Sequence, residues 1–179
     1  MEALDQLDEL GPVLAAVVGG IRADQLDNPT PCAKFTVRGV LEHMIGGATM
    51  FTAAFRGAEP SQPDTTDVLA AFGPALTGLA EAMHTSGAFD RTIHAPFGEV
   101  PGDAFARFVI LDGLVHGWDL ATATGQAYEP PTSLVAEVQA FANNAIEPLR
   151  DGNTFGPPVD PPPSASPIQR LAAFTGRRP

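Results

Sequence analysis

The sequence predicts an all-α fold, a four-helix bundle with a short extended or hairpin insertion and a proline-rich C-terminal strap that ends in a short helix. Three observations carry that reading. Apolar residues recur at helical spacing through four long segments, glycines and prolines fall between those segments, and only one stretch has the pattern of strands. With 179 residues, 44% hydrophobic and 17% charged, the chain matches one ordinary globular domain. A chain of that size buries roughly two-thirds of its unfolded surface. The expected division is a helical core over 1–150 and a docking tail over 151–179.

The first helix runs from Met1 to about Val18, with Leu4, Leu7, Leu14 and Val18 inward and Asp5, Asp8 and Glu9 on other faces. Asn28-Pro29-Thr30-Pro31-Cys32 is a rigid loop, because each proline fixes its own φ and pushes its predecessor out of the helical region. Thr36 is the N-cap of a second helix that reaches about Phe55, with Val37, Val40, Leu41, Met44, Ala48, Phe51 and Phe55 as its stripe; Gly57 and Pro60 end it. The third helix starts near Thr66 and Asp67 and carries Leu69, Phe72, Leu76, Leu79 and Met83 inward, with Gly73-Pro74 expected to kink it or delay its start. Between Phe89 and Pro101, Arg91-Thr92-Ile93-His94 and Phe97-Gly98-Glu99-Val100, joined through Ala95-Pro96, read as a hairpin leaning on helices.

The fourth helix, about Gly102 to Thr124, is apolar on most sides and is expected to be the most buried. Gly113, Gly117 and Ala121 form a lane of small residues that admits a close neighbour, and Gly125 supplies the stop. A fifth helix follows Pro130-Pro131 with Leu134, Val138 and Phe141 inward. Asn153 to Pro167 contains six prolines, after which Ser166-Pro167 opens a capped short helix from Ile168 to Phe174. The tail is expected to dock.

Charge excludes several functions. Ten Lys and Arg against 21 Asp and Glu give a net −11, which repels phosphate backbones and anionic lipid. No apolar run reaches the roughly 18 residues that a bilayer requires. The lone Cys32 cannot form an internal disulfide, so the reducing cytoplasm is the expected compartment.

One constellation points to chemistry. His43 borders the stripe of the second helix, and its lane neighbours Gly39, Gly46 and Gly47 lack side chains. Three helical glycines cost roughly 1 kcal/mol each, which calls for a void around the imidazole or for close packing. Asp112 and His116, four residues apart, stack on one face of the fourth helix, where a carboxylate is costly unless paired. Two imidazoles and a carboxylate aimed from facing helices form a three-ligand set for a divalent cation with a position left open; from spacing alone, packed and hydrogen-bonded histidines remain the alternative. Asp119, three residues past His116, is a rival ligand or, as expected here, lies behind the ligands, orienting an imidazole or pairing with Arg38. His84 and His94 are read as helix-end or solvated histidines, and Cys32 as a small buried hydrophobe.

Thr30-Pro31-Cys32-Ala33-Lys34-Phe35-Thr36-Val37-Arg38 running to His43, together with Val115-His116-Gly117-Trp118-Asp119-Leu120-Ala121, resembles the DinB-like superfamily, in the metal-binding branch related to the mycothiol-dependent maleylpyruvate isomerase. The tail from Phe155-Gly156-Pro157-Pro158-Val159 to Gly176-Arg177 is similar as well. The resemblance implies a four-helix bundle holding a divalent ion, zinc first and nickel, manganese or iron as alternatives, through His43, Asp112 and His116. The isomerase has glutamate at the middle ligand. Aspartate is one methylene shorter and would draw the ion toward the fourth helix, lengthen a bond or admit a water. The chain also has Phe35 where tryptophan is common and Gly39 where an acidic residue is frequent.

The function so implied is a thiol-dependent transferase or isomerase, in which the ion activates a low-molecular-weight thiol such as mycothiol toward an electrophilic substrate. Two alternatives stay open: hydrolysis by water activated on the ion, and a non-catalytic metal- or small-molecule-binding bundle. A purely structural bundle is the third. Expected partners are the thiol and the electrophile, with no nucleic acid and no membrane, and a homodimer is left open.

Overall fold

The computed structural model describes residues 1–95, 98–150 and 154–179. Its elements are α1 (Ala3–Gly19), α2 (Val37–Arg56), α3 (Val68–Met83), β1 (Thr92–Ala95), β2 (Gly98–Pro101), α4 (Gly102–Thr124), α5 (Thr132–Ala145) and α6 (Pro167–Phe174). Short 3₁₀ turns lie at Ala23–Gln25, Ala88–Asp90 and Glu147–Leu149. The fold is mostly helical with one small hairpin, as the periodicity predicts.

Local chemistry sets the helix ends. Thr36 accepts a hydrogen bond from the Gly39 N–H at the start of α2, and Asp67 accepts one from Ala70 at the start of α3. Gly57 and Gly125 close α2 and α4 at positive φ, 65° and 69°, a conformation that costs glycine nothing. Helix α3 begins at Val68 and continues through Pro74, so its start is not delayed. Pro74 is exposed, and the carbonyl left without an intrahelical donor can turn to water. In α1, Leu10 belongs to the buried stripe beside Leu7 and Leu14, and the helix runs through Pro12.

Helix α4 is the axis of the molecule, with 15 of its 23 residues buried. A Cβ on Gly113 would lie 3.1 Å from Leu10 Cδ2, and one on Gly117 would lie 2.7 Å from Leu14 Cδ2. The lane of small residues therefore seats α1 against α4. The Tyr128 hydroxyl fills the same lane and donates to the Leu114 carbonyl at 3.0 Å. The strands pair antiparallel with Ile93 opposite Val100, and buried Ile93 leans the hairpin on the helices. Pro96 and Phe97 of the expected connection lie outside the described residues, as do residues 151–153 at the head of the strap.

The tail docks. Ser166 and Gln169 form a capping box, and Ile168, Leu171, Ala172 and Ala173 bury one face of α6 on α5 and α4. The Arg150 guanidinium donates to the carbonyls of Gly156 and Phe174 and lies 4.8 Å from the centre of the Phe174 ring. Val159 N–H bonds the Ala173 carbonyl at 3.0 Å, so the strap lies against the helix it precedes. No helix among the described residues is long and apolar enough to cross a membrane.

Candidate metal centre

The loop ahead of α2 is tied at both ends. Asn28 donates its amide to the Ala123 carbonyl near the end of α4, and Thr30 Oγ1 lies 3.0 and 2.7 Å from the carbonyls of Cys32 and Phe35. Phe35 N–H bonds the Cys32 carbonyl at 2.9 Å and closes the turn. This loop sets the register of α2 against α4. One and a half turns into α2, His43 then faces Asp112 and His116.

The three predicted ligands meet. Asp112 Oδ1 lies 3.4 Å from His43 Nε2 and 3.5 Å from His116 Nε2, and one donor atom from each residue falls within 4.8 Å of the others. Bonds of about 2.0–2.1 Å in a tetrahedron set donors roughly 3.3–3.4 Å apart, so two edges of this triangle already have the length that a small divalent ion requires. The shorter aspartate side chain reaches the site. An N₂O donor set of this kind suits zinc and also nickel, manganese and iron.

The site opens on one side. His43 and Asp112 keep 40% of their side-chain surface exposed, while His116 keeps 6%. They form part of the wall of a cavity of about 490 Å³, closed by the Pro31–Phe35 loop on one side and by Phe155, Gly156 and Thr175–Arg177 of the tail on the other. His43 thus faces a cavity and not the apolar core. The Phe35 ring stacks on the His43 imidazole at 5.4 Å with 24° between planes, and approaches His116 edge-on at 6.2 Å. The glycine lane of α2 acquires a cause here. A Cβ on Gly39 would lie 3.2 Å from Phe35 Cδ1, and one on Gly47 would lie 3.2 Å from Phe51 Cε2, whereas Gly46 faces open space. Gly39 and Gly47 admit aromatic rings, and the Gly39 position sets the stacking plate of His43.

Behind the three candidate ligands, Asp119 is fully buried and its Oδ2 lies 2.9 Å from His116 Nδ1. The structure brings Asp119 to the imidazole, but the expected pairing with Arg38 is not present among the described contacts. The cation is Arg177 from the tail, whose Nη2 and Nε reach the same Oδ2 at 3.1 and 3.4 Å. A carboxylate accepting the Nδ1 proton leaves the Nε2 lone pair pointing at the cavity, the state a metal needs.

Electrostatics follow from this placement. The Asp112 hydrogen bond raises His43 above the ordinary imidazole value, against a smaller opposite effect of burial. Burial pushes Asp112 up, but His116, His43 and Arg177 together carry it below the ordinary carboxylate value. Burial raises the Cys32 thiol, and Arg177 offsets part of the rise. Cys32 is half-buried on the cavity wall, not packed in the core as expected, and its raised value keeps it protonated. The other histidines sit elsewhere: His84 pairs with Asp8 at 2.8 Å, and His94 with Glu99 across the hairpin at 3.2 Å.

The mycothiol maleylpyruvate isomerase N-terminal domain matches residues 7–121. Two uncharacterized proteins of Mycobacterium tuberculosis, one from strain CDC 1551 / Oshkosh and one from strain ATCC 25618 / H37Rv, are each 36% identical over 167 residues, covering 91% of either chain. No solved structure matches significantly. The chain belongs to the mycothiol maleylpyruvate isomerase N-terminal domain family, as the two sequence motifs imply.

Proposed function

Starting from that family membership, we propose that the chain is a metal-dependent enzyme of the thiol-dependent transferase or isomerase type, with His43, Asp112 and His116 holding one divalent ion, zinc in the first place. The observation that carries the reading is the meeting of two imidazoles and one carboxylate, with the carboxylate 3.4 and 3.5 Å from the two rings, beside a cavity of about 490 Å³. A structural ion needs a closed four-ligand cage, whereas three protein ligands on an open cavity leave room for a reactant. When bound, the ion supplies Lewis acidity, which lowers the pKa of a coordinated thiol.

The chain's own groups do the remaining work. Asp119 holds the Nδ1 proton of His116 and so keeps Nε2 free. Phe35 fixes the plane of His43 by stacking. The loop and the tail wall off bulk water on two sides, so that charges inside act through a lower dielectric. Cys32 stays protonated, which leaves the reactive thiol to a co-substrate such as mycothiol. The cytoplasm supplies such thiols in reduced form, and we place the protein there.

Cobalt(II) substitution tests this reading. Addition of a low-molecular-weight thiol to the cobalt protein is expected to produce a thiolate-to-metal charge-transfer band, and an electrophilic substrate is expected to turn over only when thiol is present. Turnover without thiol identifies a hydrolase instead. Tight thiol or metal binding with no turnover across electrophiles identifies a binding protein.

A further inference from the structure

Arg177 lies at the far end of the chain, beyond the segment matched by the family, yet it touches the group behind the metal centre. Asp119 is fully buried and Arg177 keeps only 11% of its side chain exposed. Among the described residues Asp119 Oδ1 has no hydrogen-bond partner, so the carboxylate is held through Oδ2 alone. Two groups meet there: His116 Nδ1 at 2.9 Å and the guanidinium at 3.1 and 3.4 Å. The guanidinium is itself steadied, because Nη1 lies 3.3 Å from Thr175 Oγ1, and that hydroxyl donates to the Ala172 carbonyl at 2.8 Å.

We infer that Arg177 is a positioning residue of the metal centre: by fixing Asp119 Oδ2 it keeps the proton of His116 on Nδ1 and the Nε2 lone pair on the cavity side, so the docked tail is part of the site. The inference extends the proposed function and rests on it for the metal, but not for the imidazole. A fixed guanidinium presents two N–H groups to one oxygen and permits a single carboxylate orientation. Without it, the carboxylate is held by the His116 contact alone and is free to rotate so that neither oxygen stays aligned with Nδ1. The tail then affects the metal without supplying a ligand. The backbone is built for that docking: Gly176 sits at φ 98°, and a Cβ there would lie 3.0 Å from Gly156 Cα, which brings Arg177 inward beside α4.

Two readouts on the full chain test this, one of them without metal. Nitrogen-15 NMR of the metal-free protein is expected to show His116 as the Nδ1–H tautomer in the wild type and in Arg177→Lys, and as a mixture or as Nε2–H in Arg177→Gln. Cobalt(II) affinity, measured by chelator competition, is expected to fall about 10- to 100-fold in Arg177→Gln, the range for lost partners of metal ligands, with substantial rescue by lysine. Hydrogen exchange over α6 reports whether the tail stays docked. If it does not, Thr175→Val, which leaves the guanidinium in place and removes its Nη1 partner together with the hydroxyl's bond to the Ala172 carbonyl, is expected to give the same shifts at smaller size. An unchanged tautomer and unchanged affinity in Arg177→Gln, or in Thr175→Val where the first variant undocks, overturns the inference. A wild type that binds no cobalt, but whose His116 tautomer still depends on Arg177, refutes the proposed function and leaves the positioning role standing.

Discussion

Helix α4 has two seams of opposite character. Against α1 it presents Gly113 and Gly117 to Leu10 and Leu14 in close apolar contact. Against α2 and the tail it presents Asp112, His116 and Asp119 to His43 and Arg177, with a cavity between them. The first seam stabilises through burial and close contact. The second keeps polar groups half-satisfied and reachable, which a stability argument alone does not explain. One helix thus separates holding the fold from presenting the donors.

That contrast predicts graded effects. Leu14→Ala cuts into the apolar seam and is expected to lower unfolding free energy by about 2–5 kcal/mol, the range for a buried leucine, read by denaturant melts. Gly117→Ala, whose new Cβ would lie 2.7 Å from Leu14 Cδ2 and press on the Tyr128 hydroxyl, is expected to cost about 1–3 kcal/mol by overpacking. His43→Ala touches only the open seam and is expected to leave the metal-free protein within about 0.5 kcal/mol of wild type, because the imidazole is 40% exposed. If His43→Ala destabilises as much as Leu14→Ala, the division between the seams fails. His84→Ala removes a hydrogen bond to Asp8 between side chains 44% and 61% exposed and is expected to change stability least, by under about 0.5 kcal/mol.

Acid acts on the open seam in two directions. Metal binding requires neutral His43, whose pKa is raised mainly by the Asp112 hydrogen bond. Protons therefore compete from a higher pH than an ordinary imidazole allows, and apparent affinity is expected to fall up to about tenfold per pH unit per proton displaced below that raised value. The metal-free form behaves oppositely. The contribution of charged His43 is fully present below its unfolded pKa and is lost as pH rises through the raised folded value. Melts from mildly acidic to neutral pH, with and without zinc, are expected to diverge as pH rises.

The sequence made the tight seam legible and only half of the open one. Helical spacing exposed α1 to α5, because one-sided burial writes a 3.6-residue period into the chain. Ser166-Pro167 announced α6 by its cap. The candidate ligands were legible as a cluster because Asp112 and His116 stack at i and i+4, and because two motifs resemble a known family. Arg177 was not. It lies 58 residues from Asp119, and no period relates a residue after the last helix to one inside α4. Arg38 was the wrong cation for the same reason: charge matching in a sequence names the sign of a partner and not its direction. The glycine lane of α2 had two readings, void or close packing, and Phe35 and Phe51 decided for packing at Gly39 and Gly47. Pro74 also read more disruptively than it acts, since exposure lets water take the bond it cannot make.

The metal content of the untagged protein tests the central claim most directly. Elemental analysis is expected to find one divalent ion per wild-type chain and none in a variant with His43, Asp112 and His116 all replaced by alanine, at an unchanged helical circular dichroism. A wild type that carries no ion after zinc loading, or a triple variant that retains it, would contradict the assignment of a metal centre to these side chains.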